Sequence, residues 1–88
     1  MQGKCYICGV YTQLERHHVF GGALRPVSEK YGAVVYLCHY CHNEPPQGVH
    51  HNKAVREWLQ EETQIKLMQK YSWTIEDFKQ RFYKNYIK

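Results

Sequence analysis

Leu37-Cys38-His39-Tyr40-Cys41-His42-Asn43 decides how this chain has to fold. Two thiols stand two residues apart, and an imidazole follows the second one directly. A matching pair, Cys5-Tyr6-Ile7-Cys8-Gly9, lies near the start, with a glycine that lets the backbone turn back. Two Cys-x-x-Cys pairs in one short chain form the tetrahedral thiolate set that zinc takes in structural sites. Disulfides or free thiols are the alternatives. The 29 residues from Gly9 to Leu37 exceed the gap of a simple zinc ribbon, so something is inserted between the two halves.

The staple has work to do. A chain of 88 residues hides only about 60–65% of the surface it exposes when unfolded, whereas a structural zinc contributes on the order of 10 kcal/mol to folding. Hydrophobic residues make up 43%, with eight Tyr, three Phe and two Trp, which places the chain among globular rather than disordered sequences. No apolar run approaches the roughly 18 residues that a bilayer span needs. Lys4 and Cys5 come too early for a signal-peptide core. Cysteines used for metal rather than for disulfides imply a reducing, intracellular setting. One domain, residues 1–88, is expected.

The insert contains Arg16-His17-His18-Val19-Phe20, followed at once by Gly21-Gly22. On a strand, neighbouring side chains face opposite ways, so the two rings cannot share one ion in the ordinary manner. One ring is free to bind metal while the other acts as a base. An isolated His-His is most often a surface pair, and what argues otherwise is its company along the chain.

Gln13 to Phe20 reads as a strand. Gly21-Gly22, Pro26 and Gly32 read as loop punctuation. Ala33-Val34-Val35-Tyr36-Leu37 is a second, β-branched strand running into the Cys38 knuckle, and the two strands suggest a hairpin. Pro45-Pro46 stops any long helix after Cys41. Asn52 is a candidate N-cap for a helix from Lys53 to about Tyr71, with Val55, Trp58, Leu59, Ile65 and Met68 expected on its buried face and Glu57, Glu61 and Lys66 on its wet side. Thr74, with Asp77 three residues on, suggests a capping box opening a last helix with Ile75, Phe78, Phe82 and Tyr86 on its apolar face. The architecture expected is a small α+β fold: a zinc-stapled hairpin with two C-terminal helices.

The net charge of +4 is modest. It permits a polyanionic partner without demanding one. Lys79, Arg81, Lys84 and Lys88 follow Phe78 with no acid among them, and Arg16, Arg25 and Lys30 flank the histidine pair.

A strand, a hairpin and a following helical segment would bring His17, His42 and His50 to one point, with His18 beside them. That constellation resembles the HNH, or ββα-metal (His-Me finger), endonucleases. The similarity is carried by Glu15-Arg16-His17-His18 and by Leu37 to Asn43. It is closest to small phage proteins of the recombination-enhancement (Ref-like) group, whose pattern here reads His17 to Gly22, Ser28 to Gly32, Leu37 to His42 and Gly48 to His50. The resemblance spans nearly the whole chain and implies a zinc-stapled, treble-clef-like ββα core ahead of the two C-terminal helices.

The resemblance implies a metal-dependent DNA endonuclease of phage origin, working in DNA recombination or processing in the cytoplasm of a bacterial or phage-infected cell, with a recombination protein as a conceivable partner. His18 would be the general base, a task suited to imidazole. His17, His42 and His50 would hold one catalytic divalent cation, and Cys5, Cys8, Cys38 and Cys41 the structural Zn²⁺. Products would carry 5′-phosphate and 3′-hydroxyl ends. Arg16, Arg25 and Lys30 would contact DNA phosphates. Among Mg²⁺, Mn²⁺, Ni²⁺ and Zn²⁺, three imidazoles suit the last three better than Mg²⁺, which prefers oxygen.

The chain departs from the family pattern where a middle asparagine is expected near the second strand, because Gly32-Ala33 stand there. Asn52 is one substitute, although an N-cap explains it equally well, and His51 competes with His50 as a ligand. The rival class is a non-catalytic zinc module that binds DNA or protein. It would share the knuckles, the basic tail and the helices, but has no need of His17, His18, His42 and His50. No recognition helix stands out, so contact mainly with the DNA backbone is expected.

Overall fold

The computed structural model describes all of Met1–Lys88. Two small antiparallel hairpins carry the first half of the chain, and four α-helices cover and extend them. The first hairpin pairs β1 (Gln2–Lys4) with β2 (Tyr11–Gln13), and the Cys5–Cys8 knuckle forms its turn. The second pairs β3 (Glu15–His18) with β4 (Val34–Leu37), in the register Glu15 to Leu37, Arg16 to Tyr36, His17 to Val35 and His18 to Val34. A backbone bond of 3.0 Å from Tyr6 N–H to the Tyr36 carbonyl ties the first knuckle to β4.

The expected strand from Gln13 to Phe20 is thus two shorter strands, broken at the buried Leu14. The expected loop after Gly22 is mostly helix: a 3₁₀ turn (Gly22–Leu24) runs into α1 (Arg25–Tyr31). Pro26 and Gly32, two of the residues read as loop punctuation, mark the ends of that helix instead. Pro26 sits in the first turn, where a missing N–H costs nothing, and Gly32 closes the helix in the left-handed conformation at φ 76°. The buried Ser28 hydroxyl donates to the Phe20 carbonyl at 2.7 Å, and Ala33 N–H to the Ser28 carbonyl at 2.8 Å. These bonds clamp α1 across the open end of the second hairpin.

After β4 comes the short helix α2 (His39–Asn43). It ends before Pro45-Pro46, as two prolines require. The long helix α3 is Lys53–Tyr71, capped by Asn52, whose side chain accepts from Val55 N–H at 3.0 Å. Its buried face differs from the expected stripe. Leu59, Thr63, Gln64 and Leu67 are buried, Val55 and Met68 flank the core, and Trp58 and Ile65 are exposed. The apolar periodicity missed Thr63 and Gln64 because both are polar. Gln64 tolerates full burial because its amide is satisfied: it donates to Asn85 Oδ1 at 2.8 Å and accepts from Tyr86 N–H at 2.7 Å.

The last helix, α4 (Ile75–Phe82), opens on the expected capping box, with Asp77 N–H donating to Thr74 Oγ1 at 3.1 Å and Thr74 N–H to Asp77 Oδ2 at 2.9 Å. Phe78 and Phe82 are fully buried, while Ile75 is exposed. The two phenylalanines and Tyr86 pack around Phe20, with ring centroids 5.8, 4.8 and 4.8 Å away. This aromatic cluster anchors the end of the histidine strand against the C-terminal helices. Buried apolar side chains form one cluster that includes Cys5, Cys38 and Cys41. No helix is long and apolar enough to cross a membrane.

Candidate metal centres and the histidine cleft

The four cysteines converge where the first knuckle meets the start of α2. Their sulfurs lie within 4.8 Å of one another, close enough to hold a metal such as zinc. Cys8 Sγ and Cys38 Sγ are 3.8 Å apart. Four sulfurs at about 2.3 Å from one zinc sit about 3.8 Å apart along each tetrahedral edge, so the spacing suits that ion. The cluster also favours a first thiolate. Burial opposes ionisation of Cys5, but backbone hydrogen bonds from Cys8, Cys38 and Ile7 outweigh it and bring that thiol down to about 6. Burial pushes Cys41 well up.

On β3, strand alternation divides four consecutive side chains into two sets. Glu15 and His17 belong to one face of the hairpin, Arg16 and His18 to the other. The first set meets α2. His17, His42 and His50 bring their ring nitrogens within 4.8 Å of one another, a second group able to hold an ion. Ring centroids are 5.1 Å apart for His17–His42 and for His17–His50, and 4.7 Å for His42–His50. His42 Nε2 and His50 Nε2 are 3.0 Å apart. Two nitrogens at about 2.1 Å from one ion and at right angles to each other also lie about 3.0 Å apart.

Electrostatics favour the neutral ring at His17 and His50. Burial, followed by the neighbouring His42, His50 and His18, pulls His17 down to about 4. Burial, then His42, His51 and Arg56, lowers His50. Neutral imidazoles are the ligating form. The carboxylate of Glu15 lies 2.8 Å from His42 Nδ1 through Oε1 and 3.0 Å from His39 Nδ1 through Oε2. A carboxylate only accepts, so His42 carries its proton on Nδ1 and keeps the Nε2 lone pair for an ion, as in many histidine metal sites. The same contacts, His42 first and then His39, hold Glu15 below the usual carboxylate range.

The turn that delivers His50 is tight. Gly48 N–H donates to the Glu44 carbonyl at 2.7 Å, Val49 N–H to the Cys41 carbonyl at 2.8 Å and His50 N–H to the His42 carbonyl at 3.3 Å. Val49 is fully buried beneath it.

The second set meets α1. His18 Nε2 lies 2.7 Å from Glu29 Oε1, and Arg16 Nη2 donates to Glu29 Oε2 at 2.6 Å. His18 nevertheless opens onto the same cleft as the other three rings. That cleft, about 300 Å³, is lined by Arg16, His17, His18, Gly21, Gly22, Arg25, His42 and His50.

Of the residues expected from sequence to contact phosphates, Arg16 and Arg25 line the cleft. Arg16 is already paired with Glu29, whereas Arg25 has no carboxylate partner. Lys30 lies off the cleft, its ammonium 5.4 Å from the centre of the Tyr31 ring. His51 stands outside the three-histidine group. Asn52 is spent on its helix cap and on the Pro46 carbonyl. Asn43 is the asparagine at the site, donating to Glu15 Oε1 at 2.9 Å. The basic tail is largely engaged: Lys79 with Glu76, Lys88 with Glu57, and Arg81 over the Trp73 ring.

Sequence reasoning missed Glu15, Glu29 and Asn43. Glu15 was legible in principle, because it stands two residues before His17 on a strand and shares its face. Glu29 lies 11 residues from its histidine and depends on the helix that was read as loop. No family model, curated protein or solved structure matches the chain.

Proposed function

We propose that this chain is a DNA endonuclease of the ββα-metal (HNH) kind, cleaving phosphodiester bonds in recombination or related DNA processing. In this reading His17, His42 and His50 hold one divalent cation, His18 is the general base, and the four cysteines hold a structural zinc. The observation that carries it is one cleft lined by four imidazoles, of which three point nitrogens at a common centre and the fourth is engaged by a separate carboxylate. A site that merely binds zinc has no use for the fourth.

Hydrolysis needs a water deprotonated in line with the leaving oxygen, and a neutral imidazole beside the phosphate meets that need. His18 takes this proton. His17, His42 and His50 would hold a divalent cation, which would supply Lewis-acid stabilisation of the charge developing on the phosphate and the leaving oxygen. His17, neutral at physiological pH through its burial, remains a lone-pair donor without competition from protons. Glu15 fixes the tautomer and direction of His42. Arg25, free of any carboxylate, is the side chain best placed to meet a DNA phosphate on the cleft wall. Three nitrogen ligands favour Mn²⁺, Ni²⁺ or Zn²⁺ over Mg²⁺.

The test is digestion of supercoiled plasmid by the zinc-loaded protein with each of these four ions. Nicking by the parent is expected, with His18→Ala slower by roughly 10²–10⁴-fold at unchanged metal affinity, and His17→Ala losing the exchangeable ion. A parent inert with every ion refutes the enzyme. A His18→Ala variant that cleaves like the parent refutes the assignment of the base.

A further inference from the structure

We infer that Glu29 is the positioning residue for His18, holding its ring by Nε2 so that Nδ1 is the nitrogen left to take the proton from water. The inference rests on the nuclease reading and names a part of the machinery that the reading itself does not require.

Three observations carry it. The contact is short and directional, 2.7 Å from His18 Nε2 to Glu29 Oε1, and it is the one hydrogen bond the ring makes. An ionised carboxylate accepts only, so the proton of the neutral ring sits on Nε2, and Nδ1 keeps its lone pair. Arg16 grips the other oxygen of the same carboxylate, and its cation, followed by His18, holds Glu29 below the usual carboxylate range. The accepting group is therefore charged as well as oriented.

The second observation concerns the platform. Glu29 follows Ser28, whose buried hydroxyl is bonded to the Phe20 carbonyl at the end of the histidine strand. Gly32 then stops the helix in the left-handed region, and Ala33 N–H returns to the Ser28 carbonyl. The helix turn carrying the carboxylate is thus bolted to the strand carrying the histidine. The glutamate side chain is exposed, and it is the engagement of both its oxygens, one by Arg16 and one by His18, that offsets the entropy of ordering it.

The third is the economy of charge at the cleft. Its lining holds four imidazoles, two guanidinium groups and two glycines, and no acid. A carboxylate on the lining would repel phosphate. Glu29 is not among the lining residues, yet it reaches His18, and Arg16 neutralises it. Carboxylates that orient a catalytic imidazole act in the same way elsewhere, by fixing tautomer and direction and by stabilising the imidazolium that forms.

The decisive experiment is a double-mutant cycle on the zinc-loaded protein, read as the single-turnover nicking rate at saturating protein. Glu29→Ala should slow cleavage by roughly 10–10²-fold, less than loss of the base itself, with Ni²⁺ affinity and melting temperature kept and DNA affinity equal or higher, because Arg16 is released. In a His18→Ala background the same change should cost less than about twofold, because a residue acting through His18 has nothing left to act on. Equal losses in both backgrounds would mean a structural role and overturn the inference while leaving the nuclease standing. A parent without activity would remove both. Nitrogen-15 NMR of the parent in mildly alkaline buffer, with His18→Ala for assignment, reads the ring directly: a proton on Nε2 is expected, and a proton on Nδ1 overturns the inference irrespective of activity.

Discussion

Gly48→Ala probes how closely the site is built. A Cβ at position 48 would stand 2.8 Å from the Glu44 carbonyl oxygen, 2.9 Å from Glu44 N and 3.1 Å from Asn43 N. All three obstacles are backbone atoms, so no side chain can swing aside. Restoring contact to about 3.4 Å requires the turn to move by roughly 0.6 Å, and crowding of this kind costs about 1–3 kcal/mol. For a domain of this size that is a fall in melting temperature of roughly 5–20 °C. The displacement acts on Val49 and His50, the next two residues, whose N–H groups bond to Cys41 and His42. Metal sites tolerate only about 0.2 Å of misplacement, so Ni²⁺ affinity at the histidines should fall at least about tenfold. Calorimetric titration with Ni²⁺ and thermal melting measure the two effects, with zinc content at the cysteines as the internal reference. Gly21→Ala is the control: nothing lies within 4 Å of its added methyl, and it should melt with the parent. A Gly48→Ala protein with the parent's melting point and Ni²⁺ affinity would refute the claim that this turn seats His50.

Cys38→Ser should abolish bound zinc and leave the chain largely unfolded by circular dichroism, because it removes a thiolate shared by the core and the metal set. A folded, zinc-free Cys38→Ser would contradict the staple. Glu15→Ala should weaken Ni²⁺ binding by about 10–100-fold, through loss of the bond that fixes His42, and leave zinc at the cysteines intact. Asp77 is held below its ordinary range by the Thr74 backbone N–H. Its contribution is therefore complete above about pH 4 and lost as pH falls through the lowered value; Asp77→Asn should flatten that acid limb in urea titrations, and an unchanged limb would exclude the capping box as its source.

The parts legible in the sequence were those whose cause is local. Cysteine spacing places two sulfurs on one turn of backbone, so each knuckle was legible locally, and the preference of zinc for four thiolates supplied the expectation that the two would meet. The start of α3 follows from Asn52, a residue whose side chain competes for the first free N–H of a helix. Pro26 and Gly32 misled because each breaks a helix when central and completes one when terminal. Seven residues lie in α1, too few for apolar periodicity to decide between the two. The buried face of α3 failed for another reason. Gln64 is an interior residue only because Asn85 and the Tyr86 backbone, 21 and 22 residues away, satisfy its amide, and a pattern of apolar residues cannot register that.

Binding and turnover make different demands on the four residues of β3. To bind an ion, the strand need supply His17, with Glu15 on the same face to orient the partner His42. Arg16 and His18 point the other way and add nothing to that task. To hydrolyse a phosphodiester, the strand must also set a base beside the ion without letting it become a ligand, and alternation is the simplest means of doing so. The period of two that lends Glu15 to the three-histidine group sends His18 to a carboxylate on α1, and Arg16 to the same carboxylate. A slip of one residue in the pairing of β3 with β4 would exchange the two sets and leave neither function. The Ser28–Phe20 clamp and the Phe20 aromatic cluster oppose that slip from one end of the strand, and the bond from Tyr6 N–H to the Tyr36 carbonyl opposes it from β4. That register serves ion binding and hydrolysis alike; what a module that only binds does not need is the carboxylate of Glu29 on His18, and that contact is what favours the proposed nuclease over it.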